Sequence, residues 1–345
     1  MRTADIFKTP FYAAELATGG KSFRDNPLIG SRRLNEAGLH VKRIELAERM
    51  ADARRRRLAH LVAQEDRAAY ARDGFIQKRG LLAESDLEGL RAEVATTPFD
   101  SWDMRQGNAV TRFIPLPPKV LKNLPYLRNF VWSEPFQNGL RYVGSTNGDP
   151  LVYLHIVMTD PKVGKKADPQ TAFHSDTFHP TAKAWFFLYD IDDAEGPFTY
   201  VPGSHRLTPE RLAWEHEQSL TAATHKDRLH ARGSFRLRAD ELDRLNYPEP
   251  LRFAVPGNTL VVADTHGFHA RATSERPSVR VGIYGSLRRN PFLPWTGMDL
   301  FNLPGLRGRQ SSLFVAQKDL VTRLKGRPVS HRYAGKVLAT EPSKF

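Results

Sequence analysis

Pro256-Gly257-Asn258-Thr259-Leu260-Val261-Val262-Ala263-Asp264-Thr265-His266-Gly267-Phe268-His269 decides how this chain folds. It opens on a turn signal, runs through a short β-branched apolar segment and closes on polar residues and two histidines. The same pattern recurs on either side. Short apolar or aromatic runs at 151–158, 184–189, 198–201, 251–255, 259–263 and 279–284 alternate with Asn147-Gly148-Asp149-Pro150 and Pro202-Gly203-Ser204. Many short strands separated by Gly/Pro turns predict a sandwich or barrel starting near residue 109. The fold class is mainly β with flanking helices.

Residues 40–72 lack Gly and Pro and repeat Ile44, Ala47, Ala51, Leu58, Leu61 and Val62 at helical spacing, which predicts a helix. Within it Arg54, Arg55, Arg56 and Arg57 form a run that reads as a solvated face or as a basic amphipathic helix on an anionic bilayer. Gly74-Phe75-Ile76 predicts a short strand, and Ser85 with Glu88 a capping box on the next helix. Three regions follow: a helical region at 1–95, a β core at 96–290 and a basic extension at 291–345. Residues 207–245 read as a polar, helical insertion in the core.

The chain has 345 residues and a net charge of +13. The middle, residues 96–286, carries 22 basic and 21 acidic residues, whereas the last 59 carry 11 and 3. The excess therefore sits at the ends and points to an anionic partner. The absence of cysteine excludes disulfides, zinc–thiolate sites, iron–sulfur clusters and a cysteine nucleophile. No secretory leader and no apolar stretch long enough to span a bilayer is seen, so the expected compartment is the cytoplasm.

Phe173-His174-Ser175-Asp176 places a histidine and a carboxylate at i and i+2, on one face of an extended segment. A second histidine downstream completes a two-His, one-carboxylate triad of the kind that holds non-haem Fe(II) and leaves positions open for co-substrate and dioxygen. His266 and His269 compete for that place. Arg280 lies eleven residues beyond His269, and adjacent antiparallel strands would bring the two into one cavity, where a guanidinium grips a carboxylate by two parallel hydrogen bonds.

Taken together, the chain resembles the phytanoyl-CoA dioxygenase-like branch of the Fe(II)/2-oxoglutarate oxygenases. The likeness rests on Tyr70-Ala-Arg-Asp-Gly-Phe-Ile, His174-Ser-Asp176, Ala184-Trp185, Phe198-Thr-Tyr-Val-Pro-Gly-Ser-His205, and Pro256-Gly-Asn-Thr-Leu through His269 to Arg280. These elements fall in the family's order. The resemblance implies a double-stranded β-helix (jelly roll) core, with Fe(II) on His174, Asp176 and His269. It also implies 2-oxoglutarate on Arg280, with Trp185 lining the pocket. Ser175 and Arg271 depart from the family, which often has Gln and Ser there. Tyr153 and Thr171 are the remaining candidates for 2-oxoglutarate contacts. The implied reaction uses O2 and 2-oxoglutarate, releases succinate and CO2 and hydroxylates a C–H bond, with ascorbate as a stimulating reductant.

The expected substrate is anionic. The sharpest reading is a lipid-linked or lipopolysaccharide sugar acid (Kdo) met at a membrane surface by the basic helix and tail, which would make the enzyme peripheral on the inner face of the cytoplasmic membrane. The alternatives are a soluble small-molecule or acyl-CoA hydroxylase, and a non-catalytic jelly-roll ligand-binding protein. No nucleic-acid motif is present. The sequence leaves the oligomeric state open.

Overall fold

The computed structural model describes residues 9–163, 168–326 and 330–344; residues 1–8, 164–167, 327–329 and 345 lie outside them. Among the described residues eleven strands form: β1 (Phe75–Arg79), β2 (Phe99–Gln106), β3 (Ala109–Pro115), β4 (Leu151–Thr159), β5 (Ala182–Phe187), β6 (Phe198–Tyr200), β7 (Leu251–Arg252), β8 (Thr259–Asp264), β9 (His269–Arg271), β10 (Ser278–Leu287) and β11 (Arg332–Val337). Eight make one antiparallel sheet in the order β1-β8-β5-β10-β4-β3-β2-β11, and β7-β6-β9 make a second. This is the jelly-roll arrangement, a large and a small sheet facing each other.

The alternation of the central strands assigns each face of the large sheet a task. Leu154, Ile156, Ala184, Phe186, Val262, Val281 and Ile283 point to the outer side and pack on Phe130, Phe136, Leu140 and Val143 of the helices Pro125–Val131 and Glu134–Val143. Burial of each large side chain there stabilises the fold by roughly 1.5–3 kcal/mol. The opposite face carries Tyr153, His155 and Val157 on β4, Arg280, Gly282 and Tyr284 on β10, and Lys183, Trp185 and Phe187 on β5, all facing a cavity. Register lines them up: Tyr284 sits between Tyr153 and Trp185, and Gly282 between His155 and Phe187. Gly282 adds no side chain to the cavity floor, and a Cβ there would meet the Phe186 carbonyl at 2.7 Å.

Several expectations change. The helix expected over 40–72 is two helices, Leu39–Arg57 and Gln64–Asp73, broken by the one-turn segment Ala59–Leu61. The arginine run is not one solvated face. Arg54 and Arg55 are 2% and 5% exposed, while Arg56 and Arg57 face water. Arg54 donates to the carbonyls of Ser145, Pro291 and Leu293, and Arg55 pairs with Glu48, Asp52 and Asp264. Consecutive residues on a helix are about 100° apart, so a run of four reaches both faces. The capping box is also absent: Ala83 is the N-cap of Glu84–Thr96 and gives no side-chain hydrogen bond.

Residues 207–245 are helical in part, at Pro209–Thr221, Arg228–Ala231 and Ala239–Arg244. They are more than an insertion, because Trp214 is fully buried and residues 235–237 pair with the segment bearing His174. The C-terminal extension likewise joins the core. Its helix Gln310–Lys325 is followed by β11, which pairs with β2 at the sheet edge. The guanidinium of buried Arg112 donates to the carbonyls of Leu338, Ala339 and Glu341 and fastens the tail.

Candidate active site

His174 and His269 stand directly opposite each other in a short antiparallel bridge that extends the small sheet beyond β9. Each amide donates to the other's carbonyl at 3.0 Å. Residues opposed in that way share a face, so the rings gather on one side with centroids 4.4 Å apart. Nδ1 of His174 donates to the Ala172 carbonyl at 2.8 Å, and Nδ1 of His269 to that of Gly267 at 3.0 Å. A carbonyl only accepts, so the proton is on Nδ1 and the lone pair of Nε2 is free for a metal. Gly267 must be small here: a Cβ would sit 1.9 Å from the Tyr200 hydroxyl.

Asp176 completes the group, its amide tied to the Thr265 carbonyl at 2.9 Å. Its Oδ1 is 3.9 Å from His174 Nε2 and its Oδ2 3.7 Å from His269 Nε2. One donor atom from each of the three residues lies within 4.8 Å of the others. Burial holds both imidazoles neutral, His174 well below its usual range and His269 down to about 4. Burial alone would raise the Asp176 carboxyl, but the Lys183 ammonium beside it outweighs burial and holds the carboxyl well below its usual range. Two neutral imidazoles and one carboxylate are the donor set that suits iron(II).

The triad histidines open on a cavity of about 220 Å³ lined by both sheets. Arg280 enters it from β10, in the large sheet, whereas His269 is on β9 in the small one. The expected adjacency of their strands is therefore wrong. The chain crosses between sheets after Arg271, so the two residues face each other across the cavity instead. Arg280 donates to the Gly196 carbonyl, and its buried Nε and Nη2 have no acceptor among the described residues. Burial, with Arg271 nearby, pushes Arg280 down to about 9, so it keeps its charge at neutral pH. Buried guanidinium N–H groups rarely lack acceptors, and these two fit one carboxylate.

Tyr153 and Trp185 line the cavity, with Phe198 stacked on Trp185 at 4.1 Å. Thr171 does not: its hydroxyl donates to the Asp168 carbonyl in the turn Pro169–Thr171, and the neighbouring Gln170 lines the cavity. Ser175 also turns away, its hydroxyl on the Thr177 carbonyl. Arg271 lines the cavity and pairs with Asp168 at 2.6 Å. His266 is buried outside the triad, its Nδ1 on the Thr177 carbonyl. His179 and His205 are buried too and supply no donor to the triad. Lys183 and His155 were not singled out from the sequence. Lys183 lies two residues before Trp185 and His155 two after Tyr153, so strand period alone would have found both.

A jelly roll that gathers two histidines and an aspartate opposite an arginine with unpaired donors has the frame of an iron- and 2-oxoglutarate-dependent oxygenase. Residues 70–236 match the family model described as phytanoyl-CoA dioxygenase, and over that span the chain is phytanoyl-CoA dioxygenase-like. The matched span holds His174 and Asp176; His269 and Arg280 lie beyond it and are brought in by the fold. No curated protein matches the chain. Among solved structures it is similar to HygX from Streptomyces hygroscopicus with nickel and 2-oxoglutarate bound, at 15% identity over 71% of this chain and 94% of that one, TM-score 0.44. It is similar to the epimerase SnoN in complex with Fe3+, alpha ketoglutarate and nogalamycin RO, at 18% identity over 70% and 93%, TM-score 0.41. A third is EctD from S. alaskensis with 2-oxoglutarate and 5-hydroxyectoine, at 13% identity over 67% and 80%, TM-score 0.39.

Proposed function

We propose that this protein is an Fe(II)/2-oxoglutarate-dependent oxygenase that hydroxylates a C–H bond of an anionic substrate and releases succinate and CO2. The observation that carries the reading is the pair of unpaired Arg280 donors in the cavity onto which the triad opens. His174, Asp176 and His269 would hold the iron, which supplies dioxygen activation when bound. Arg280 binds the far carboxylate of 2-oxoglutarate and so sets which end faces the triad. Tyr153, Trp185 and Tyr284 wall the cavity and exclude bulk water, which strengthens every charge interaction inside.

The anionic-substrate reading draws on cations near the triad and on the basic ends. The lipopolysaccharide sugar-acid reading at a membrane surface keeps less support, since Arg54 and Arg55 are spent inside the fold and only Arg56 and Arg57 remain exposed on that run. No helix among the described residues is long and apolar enough to cross a membrane. An acyl-CoA or a soluble acid satisfies the same charge. The test is succinate release with Fe(II), ascorbate and a panel of sugar acids, acyl-CoA thioesters and small carboxylic acids. We expect one class to stimulate release, and His174→Ala and Asp176→Ala to abolish it. Unchanged release in both variants overturns the assignment, and the absence of any release leaves a ligand-binding jelly roll.

A further inference from the structure

Arg236 lies opposite His174 on the side away from His269. The amide of Ser175 donates to the Phe235 carbonyl at 3.0 Å and that of Leu237 to the Phe173 carbonyl at 2.9 Å. Arg236 and His174 therefore form the close, non-hydrogen-bonded kind of antiparallel pair, whose side chains share a face. Arg236, His174 and His269 make one row on the side where the triad gathers. The Arg236 side chain is 11% exposed. Among the described residues its buried Nη1 has no acceptor, and its Nε pairs with Asp227 at 3.7 Å.

Three more cations approach the same place. Lys183 Nζ lies 2.5 Å from Asp176 Oδ2. Lys21 reaches in from the N-terminal segment and donates to the Asp176 backbone carbonyl. Arg43 holds that segment, its guanidinium donating to the carbonyls of Leu16, Thr18 and Gly20. Arg288 follows Leu287, the end of β10, which pairs with Ala182 beside Lys183. Arg288 is exposed and lies within electrostatic reach of Lys21 and Lys183. Against these four cations stand Asp227 and Asp176, and Asp176 belongs to the triad. The charges nearest Arg280 are others: Arg271, Glu195 and Asp168. Lys183 lines the cavity that Arg280 and Arg271 also line, whereas Lys21, Arg236 and Arg288 lie outside its lining.

We propose that Lys21, Lys183, Arg236 and Arg288 form a subsite for an anionic group of the organic substrate, a carboxylate or a phosphate, and fix it beside the triad. This deepens the oxygenase reading and rests on it. A cluster built only for stability would pair its cations with carboxylates, as Arg55 does with Glu48, Asp52 and Asp264. Here a buried guanidinium donor is left open on a side chain that shares its face with His174. Holding an anion there fixes the distance from that group to the carbon presented to the triad, which is how positioning lowers a barrier.

The test is calorimetric titration of the Fe(II)-loaded protein under anaerobic conditions, first with 2-oxoglutarate and then, at saturation, with methyl phosphate in one arm and acetate in the other. We expect saturable binding of one anion, and the responding arm names the group. Arg236→Gln and Arg288→Gln should each weaken it at least tenfold while 2-oxoglutarate affinity changes less than twofold. Arg288 is exposed, so its variant keeps the fold and the test readable. Undiminished anion affinity in both variants overturns the subsite. So does anion binding that appears only when 2-oxoglutarate is omitted, since the anion is then on Arg280. If 2-oxoglutarate fails to bind the wild-type protein, the oxygenase reading fails, and the anion titration still reads Arg236 and Arg288 separately.

Discussion

Arg280 shows what one residue contributes. A guanidinium presents a planar fork, whereas an ammonium is a point charge. Arg280→Lys keeps the charge and loses the second parallel hydrogen bond. A charge-assisted hydrogen bond is worth about 1.5–3 kcal/mol, so the KM for 2-oxoglutarate should rise roughly 10- to 100-fold at little cost in kcat. Steady-state kinetics at varied 2-oxoglutarate checks this, and an unchanged KM would place the carboxylate elsewhere. His174, Asp176 and Arg280 were legible as chemistry because few residue types bind a metal or fork a carboxylate, and their spacing put them on strand faces. Thr171 was misplaced because a Pro169–Thr171 turn follows the N-cap Asp168 and reverses which side chain enters the cavity. Arg236 was invisible because only the pairing of residues 62 apart puts it opposite His174.

The helix Leu39–Arg57 carries charge inward. Arg55 is 6% exposed at its side chain and neutralises Glu48 and Asp264, the latter 1% exposed at the end of β8. Removing one partner of a buried ion pair leaves the other uncompensated, at a cost of about 3–5 kcal/mol. Arg55→Met should therefore lose about that much stability in urea unfolding, while Arg56→Ala, on the exposed face, stays within about 0.5 kcal/mol. Equal, small effects would mean that the run is a solvated face after all. Strands β4, β5, β6, β8 and β10 were readable as short runs of apolar and aromatic residues, which pack in the core or, like Tyr153, Trp185 and Tyr284, wall the cavity. Strand β11 was not. Its sequence Arg-Tyr-Ala-Gly-Lys-Val is basic, with three of its six residues exposed on the sheet edge, and so reads as tail.

At the scale of the whole molecule, buried histidines set the response to acid. Burial pushes His179 and His205 down to about 3, and His230 and His331 down to about 4. The unfolded chain binds their protons near pH 6.5 and the folded chain does not, so the unfolded state gains as pH falls through that window. Each such proton steepens the loss by about 1.4 kcal/mol per pH unit. Glu48 works the other way. Burial, against Arg55, raises it to about 7, so its contribution is lost as pH rises to 7. Four histidines outweigh one carboxylate, and the urea midpoint should fall between pH 6.5 and 5, less steeply in His205→Gln. A midpoint flat over that range would show that these rings are protonated in the fold. Net charge was read correctly as a property of the ends, but the packing of those ends was not. Composition gives a charge and no partner: it could not tell that Arg54 and Arg112 are tethers inside the fold while Arg236, paired at Nε with Asp227, keeps its buried Nη1 open.

The central claim is that one cavity holds both iron and 2-oxoglutarate. The most direct measurement is anaerobic titration of 2-oxoglutarate into the Fe(II)-loaded protein, read by the visible absorption that arises when the keto acid chelates the metal. The wild-type protein should develop that absorption to a one-to-one endpoint. Asp176→Ala should show none, and Arg280→Lys should need more 2-oxoglutarate to reach the same endpoint. No absorption in the wild-type protein, or the same titration in Asp176→Ala, would contradict the account.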